Sequence, residues 1–298
     1  MGSIRSTDAD YVLGRSTAEH RRLVEQAAFL RPSTERILRA AGIGAGMRVL
    51  DVGCGMGDVS FLVAELVGSS GSVVGIDLDA DGLAFAEERR VAMKLTNVSF
   101  VRGDFRSAAL GGEFDAAVGR LVLLYQADPT DALRAIASRL RRNGILAFQE
   151  PATAALAWHP PDLPLLTSVV AWTREVFARS GAHMNVGWEL YWRMRDAGLV
   201  PHPVPLGEVP LDVGPDSSAY HRYATLTRSL QPKIIEYGLA TEAEIDIETL
   251  EQRLREEAIA GRATIPLFSA VLVGQWARKP SPGKWHDSVP ASRMHHGD

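Results

Sequence analysis

Residues 47–58 read Met-Arg-Val-Leu-Asp-Val-Gly-Cys-Gly-Met-Gly-Asp, a short apolar strand carrying an acid, Asp51, and then glycines on alternate positions, Gly53, Gly55 and Gly57. Glycine has no Cβ, so the chain can turn sharply after the strand and lay its backbone against a bound small molecule. Val59 to Leu66 follow with apolar residues at helical spacing. The loop therefore opens a helix whose unpaired N–H groups and positive dipole end face whatever the loop holds. Strand, glycine loop and helix together make a site of the nucleotide-binding kind.

Two cofactor classes use such a loop. A dinucleotide fingerprint, G-x-G-x-x-G, requires a glycine at its sixth position, where this chain has Asp58. The next apolar run, Val73-Val74-Gly75-Ile76-Asp77, ends in an acid, and Arg102-Gly103-Asp104-Phe105 closes the run after that. An acid at the distance of Asp77 suits the ribose of NAD as well, so an NAD-dependent oxidoreductase stays open as an alternative on that residue alone.

Taken together, these stretches resemble the motifs of the class I S-adenosylmethionine-dependent methyltransferases. Asp51, Gly53, Gly55 and Gly57 match motif I, an acid two residues before G-x-G-x-G, and the resemblance covers residues 47–151. It implies that the loop, Cys54 included, meets the methionine part of the cofactor. Asp51 would orient the loop or bind the cofactor's ammonium. Asp77 would accept hydrogen bonds from the ribose hydroxyls, with Leu78 flanking the adenine. Asp104 would accept from the adenine amino group, with Phe105 supplying a backbone N–H and an apolar wall. Arg120 would turn its backbone carbonyl toward the methionine. The family resembled is the branch acting on small molecules, of quinone and natural-product biosynthesis. No Asn/Asp-Pro-Pro-aromatic motif of the nucleic-acid enzymes follows the fourth strand, where the chain reads Gly-Arg-Leu-Val-Leu-Leu-Tyr.

Methyl transfer from a sulfonium is an in-line displacement, so the protein must position the acceptor and exclude water, and needs a base only if the acceptor loses a proton. Candidates for that base are Glu150, at the end of strand five, and His159 in the loop beyond it. Tyr125, His183 and His221 are further polar candidates for the acceptor pocket. Trp158, Trp172, Trp188 and Trp192 cluster after strand five and would either pack the lids or line an apolar pocket, with Trp158, Trp172 and Trp188 assigned to it. Tyr11, ahead of the first helix, would fold over the cofactor. A fold relative with redirected chemistry, such as a cyclase, is the other alternative.

The elements that must position these groups alternate strand and helix through the first half, which means βαβ units and a parallel sheet. Strands are expected immediately before the glycine loop and at 72–77, 98–102, 114–119, 145–149, 201–209 and 267–277, with helices at 17–30, 32–42, 80–94, 129–141 and 187–198. The fold class is α/β: a Rossmann-like seven-stranded methyltransferase sheet, mostly parallel with an antiparallel last strand, helices on both faces and helical lid insertions. Segments divide as 1–45, N-terminal helices and flap; 46–151, cofactor-binding core; 152–185, lid insertion; 186–211, core helix and sixth strand; 212–264, helical lid; 265–278, last strand; and 279–298, a disordered tail.

At 298 residues and 46% apolar content the chain can bury a full core, and its net charge of −4 offers no footprint for nucleic acid. The lone cysteine, Cys54, excludes an internal disulfide and fits a reducing compartment. No stretch is long and apolar enough for a membrane span. The expectation is a cytoplasmic enzyme with S-adenosylmethionine as cofactor, a small-molecule methyl acceptor, no metal, no nucleic-acid or membrane partner, and a possible homodimer.

Overall fold

A computed structural model describes residues 17–153, 163–212, 214–266 and 270–281. Tyr11, Trp158, His159 and most of the expected C-terminal tail lie outside the described residues. The chain enters through α1 (Thr17–Ala41), a single helix where the sequence suggests two, with Pro32 inside it. An internal proline forfeits one hydrogen bond and crowds the preceding turn, at a cost of about 3 kcal/mol. Packing overrides it: Ala27, Leu30, Thr34, Ile37, Leu38 and Ala41 recur at helical spacing and are all buried.

Next come β1 (Arg48–Val52), α2 (Asp58–Val67), β2 (Ser72–Asp77), α3 (Ala80–Ala92), β3 (Val98–Arg102), β4 (Phe114–Arg120), α4 (Pro129–Ser138) and β5 (Leu140–Ala152). Caps set the helix starts: Asp128 accepts from the N–H groups of Thr130 and Asp131, with Pro129 at the first helical position. Beyond β5 come α5 (Pro164–Arg179), α6 (Val186–Asp196), β6 (Val200–Pro201), β7 (Leu206–Glu208), β8 (Leu211–Asp212), α7 (Ala219–Glu236), α8 (Glu242–Ile245), α9 (Leu250–Ala260), β9 (Ile265–Pro266) and β10 (Val271–Arg278).

The sheet runs β3-β2-β1-β4-β5-β10-β6, with β7 also on β10. The pairs among β1 to β5 are parallel, whereas β10 is antiparallel to β5, β6 and β7. The sixth strand expected over 201–209 is thus two short pieces, so the main sheet has eight strands rather than seven. Pro203 and Pro205 lie between the pieces and supply no backbone N–H to a ladder.

Side chains alternate across the sheet as a period of two requires. Leu50 and Val52 join a core with Phe114, Phe148, Leu133 and Met194, while Val49 joins the opposite core with Leu62, Val67 and Val118. The strand order reverses between β1 and β4, which opens a crevice at their carboxyl ends. Over it lie α5 and α7, which share with α9 an apolar core of their own that includes Leu166, Val169, Tyr220, Tyr223, Leu250 and Leu254. Among the described residues no helix is long and apolar enough to cross a membrane, and no group of three His, Cys, Asp or Glu could hold a metal ion.

Candidate functional site

The crevice is a cavity of about 490 Å³ lined by the glycine loop, the ends of β2, β3 and β4, and residues of α1, α5 and α7. At its base, Gly53, Gly55 and Gly57 have φ of 64°, 50° and 82°, a region closed to most side chains. A Cβ on Gly53 would also stand 2.6 Å from Val122 Cγ2, whereas one on Gly55 would meet nothing within 4 Å. Gly53 is therefore demanded by packing, and Gly55 leaves bare backbone facing open space.

Hydrogen bonds lock the loop in this shape. The N–H groups of Gly53 and Cys54 both donate to the Ile76 carbonyl, at 2.8 and 3.1 Å. Gly55 N–H donates to Asp77 Oδ2 at 2.8 Å, while Asp77 Oδ1 accepts from Asp79 N–H at 2.9 Å. Asp77 thus sits at the mouth of β2 and holds the loop before any ligand arrives. Arg89 of α3, which the sequence reading missed, donates to Met56 O and to Asp58 Oδ1, both at 2.7 Å, and so ties the loop's far side to α3.

Beneath the loop, Asp51 is buried and accepts from Ser60 Oγ at 2.6 Å. Burial pushes its carboxyl up to about 7 against the opposing pull of Ser60 and Arg120. Burial, reinforced by Asp51 and Asp77, likewise pushes the Cys54 thiol well above its ordinary value, which keeps it protonated and a poor nucleophile.

The remaining expected cofactor residues converge on the same cavity. Leu78 lines it with 58% of its surface exposed, which leaves an apolar face open to the cavity. Asp104 and Phe105 line it as well, and Asp104 Oδ1 accepts from Arg106 N–H at 2.8 Å. Arg120 lines it too, and its guanidinium donates to Thr34 Oγ1 at 3.0 Å. Thr34 in turn donates to Gln149 Oε1 at 2.8 Å, and Gln149 Nε2 donates to Ser33 Oγ at 2.7 Å. This buried polar network pins α1 to the ends of β4 and β5, so α1 is a fixed wall of the site. No single-residue signal in the sequence marks Ser33, Thr34 and Gln149 for that role.

Glu150 does not line the cavity. It is fully buried, and its two oxygens accept the N–H groups of Val122 and Leu123, both at 2.9 Å, and of Leu124 at 3.4 Å. Its carboxylate thereby holds the turn after β4, where Leu121 takes a positive φ of 57°. That turn lines the cavity through Leu121, Val122, Leu124 and Tyr125, and Val122 is the residue that packs against Gly53. Burial raises the Glu150 carboxyl to about 7 despite the three donors.

Tyr125 is the expected acceptor-side residue that the cavity includes. His183 approaches through its backbone, whose N–H donates to Leu124 O at 2.7 Å. Trp172 packs between the two lid cores. Trp188 and Trp192 stand on the outer face of α6, 53% and 60% exposed. His221 is on the surface between Glu25 of α1 and Glu251 of α9, at 3.6 and 2.9 Å. The lid side of the cavity is instead lined by Phe29, Thr173, Phe177, Met184, Arg222, Tyr223 and Leu226. Except for Met184, in the turn before α6, their helical spacing announces only amphipathic helices, so nothing in the sequence separates them from ordinary core.

Comparison with known proteins agrees with this geometry. Residues 43–187 match a family model described as a methyltransferase domain. The chain is 32% identical over 142 residues to the aklanonic acid methyltransferase DauC of Streptomyces sp. (strain C5), which is 46% of this chain and 64% of that protein. The curated relative is thus matched over less than two thirds of its length. Among solved structures, a SAM-dependent methyltransferase from Aquifex aeolicus superposes with a TM-score of 0.53 at 16% identity, covering 89% of this chain and all of that one. The [4+2]-cyclase SpnF superposes with a TM-score of 0.51 at 20% identity, covering 84% and 80%. At such identities the structural likeness speaks for the fold alone. Motif, topology and family match converge: residues 43–187 match a methyltransferase domain, carried on a fold shared with a SAM-dependent methyltransferase.

Proposed function

We propose that this chain methylates a small, largely apolar acceptor that binds beneath the lid helices. The observation that carries this reading is that the glycine-loop wall and the lid wall enclose one shared cavity of about 490 Å³, a size suited to small molecules. A macromolecular substrate would instead need an open groove with a basic border. The cavity residues fit S-adenosylmethionine: bare backbone at Gly55 for close approach, carboxylates at Asp77 and Asp104 for hydroxyl and amino donors, and the uncovered face of Leu78 for an aromatic base. When bound, that cofactor supplies a methyl on a sulfonium, a leaving group that requires no protein nucleophile.

The chain's own contribution is then positional. Asp77 and Arg89 hold the loop, Glu150 holds the turn that faces it, and α1, α5 and α7 exclude water from the space between. Glu150 acts in this reading by positioning Val122 to Leu124, because its oxygens are already committed to backbone donors. The similarity to an aklanonic acid methyltransferase supports a small-molecule acceptor of the natural-product kind.

Calorimetry with S-adenosylhomocysteine, followed by mass spectrometry of hydroxylated aromatic acceptors incubated with S-adenosylmethionine, tests the reading. The expected outcome is tight S-adenosylhomocysteine binding and a product heavier by one methylene. Binding of NADH with none of S-adenosylhomocysteine would overturn it.

A further inference from the structure

The lid wall contains a polar group that the fold leaves without a partner. Tyr223 of α7 lines the cavity with only 4% of its surface exposed, and its hydroxyl has no hydrogen-bond partner among the described residues. Buried tyrosine hydroxyls are almost always paired, because an unpaired one loses its hydrogen bonds to water with nothing in return. The other hydroxyls of this wall are spent inside the lid: Thr173 Oγ1 donates to Val169 O and Thr225 Oγ1 to His221 O, both at 2.9 Å. Burial raises the Tyr223 hydroxyl above its ordinary value, so it stays protonated and available as a donor.

The surroundings restrict what that donor can meet. Phe29, Phe177, Met184 and Leu226 are the apolar side chains of the same wall. The cations nearby already have protein partners. Arg22 makes paired bonds to Glu19 at 2.6 and 2.8 Å, and the Arg222 guanidinium lies 4.5 Å over the Phe29 ring and donates to Glu25 O at 3.3 Å. An anionic acceptor would have to compete with those partners, whereas a neutral oxygen needs only the hydroxyl.

Building on the methyl-transfer reading, we propose that the Tyr223 hydroxyl is the hydrogen-bonding anchor for the acceptor, and that the acceptor is an uncharged, largely apolar ring compound bearing a hydroxyl or carbonyl oxygen. Tyr223 selects the acceptor by its oxygen, while the aromatic and aliphatic side chains around it select by ring area.

The test uses the full chain saturated with S-adenosylhomocysteine and two probes, 1-naphthol and naphthalene, titrated by calorimetry or fluorescence. Wild type is expected to bind 1-naphthol about tenfold more tightly than naphthalene, the worth of one buried hydrogen bond. Tyr223→Phe keeps the ring and should erase that preference, leave S-adenosylhomocysteine affinity unchanged, and melt no lower than wild type because an unpartnered polar group has been removed. Discrimination that survives in the variant, a lowered melting temperature, or failure of 1-naphthol to bind wild type at millimolar concentration would each overturn the assignment. Absence of S-adenosylhomocysteine binding to wild type would instead strike the methyl-transfer reading itself, so the two failures are separable.

Discussion

The two walls of the cavity are built by different means. The glycine-loop wall is made largely of backbone, with N–H groups of Gly53, Cys54 and Gly55 fixed by Ile76 O and Asp77. The lid wall is made of side chains from α1, α5 and α7, drawn from positions as far apart in sequence as Phe29 and Tyr223. A wall of backbone can be specified by a few residue types at fixed spacing, and it suits a ligand that never changes. A wall of side chains can be rewritten one residue at a time without disturbing the sheet, which suits an acceptor that differs from enzyme to enzyme.

Substitutions can break that contrast in order of expected size. Gly53→Val combines a positive φ with a Cβ set against Val122, and should cost about 3–5 kcal/mol of stability along with cofactor binding. A melting curve near that of wild type would show that the loop is softer than its geometry implies.

Glu150→Ala should follow, at about 3 kcal/mol, since it strands the N–H groups of Val122, Leu123 and Leu124. Titration supplies a second check. The Glu150 carboxyl lies near 7 in the fold against 4.5 unfolded, so the folded chain binds more protons between those values. Its stabilising contribution is therefore full below about pH 4.5 and is lost as pH rises through about 7. Denaturant midpoints from pH 4.5 to 7.5 should fall with a slope that Glu150→Gln flattens. An unchanged slope in that variant would locate the titration elsewhere, with buried Asp51 the first alternative.

Asp77→Ala should weaken S-adenosylhomocysteine binding by about 1–3 kcal/mol through lost charge-assisted hydrogen bonds. Undiminished affinity in calorimetry would mean that Asp77 serves only the loop. Smallest is Trp188→Ala, whose half-exposed ring lies outside the cavity. It should move stability by no more than about 0.5 kcal/mol and leave both ligands unaffected. Loss of acceptor turnover there would shift the lid wall to α6.

The core elements were legible because their signals are local. β2 and β3 match the expected spans of 72–77 and 98–102 because each apolar run is bounded by turn residues. The reading failed where tertiary packing outweighs a local breaker. Pro32 implies a helix boundary, yet the buried face of α1 carries the helix through it. The sixth strand failed in the other direction, because the segment around Pro203 and Pro205 yields only two short pairings with β10. In the site, Asp77, Asp104 and the glycines could be picked out because their types and spacing are rare. Arg89 and the Ser33-Thr34-Gln149 network could not, since an arginine or a serine on a helix is ordinary until its partner is known.

By itself the sequence determined the strand-loop-helix unit, the acids at the strand ends and hence the class of cofactor, because backbone conformation at Gly53 to Gly57 depends on residues within reach along the chain. Only the tertiary structure decided that Glu150 holds a turn, that Trp188 faces outward and that Tyr223 lines the cavity. Those outcomes depend on which helix faces cover which sheet edge, and that balance is set by burial summed over the whole molecule, not by any one stretch of residues.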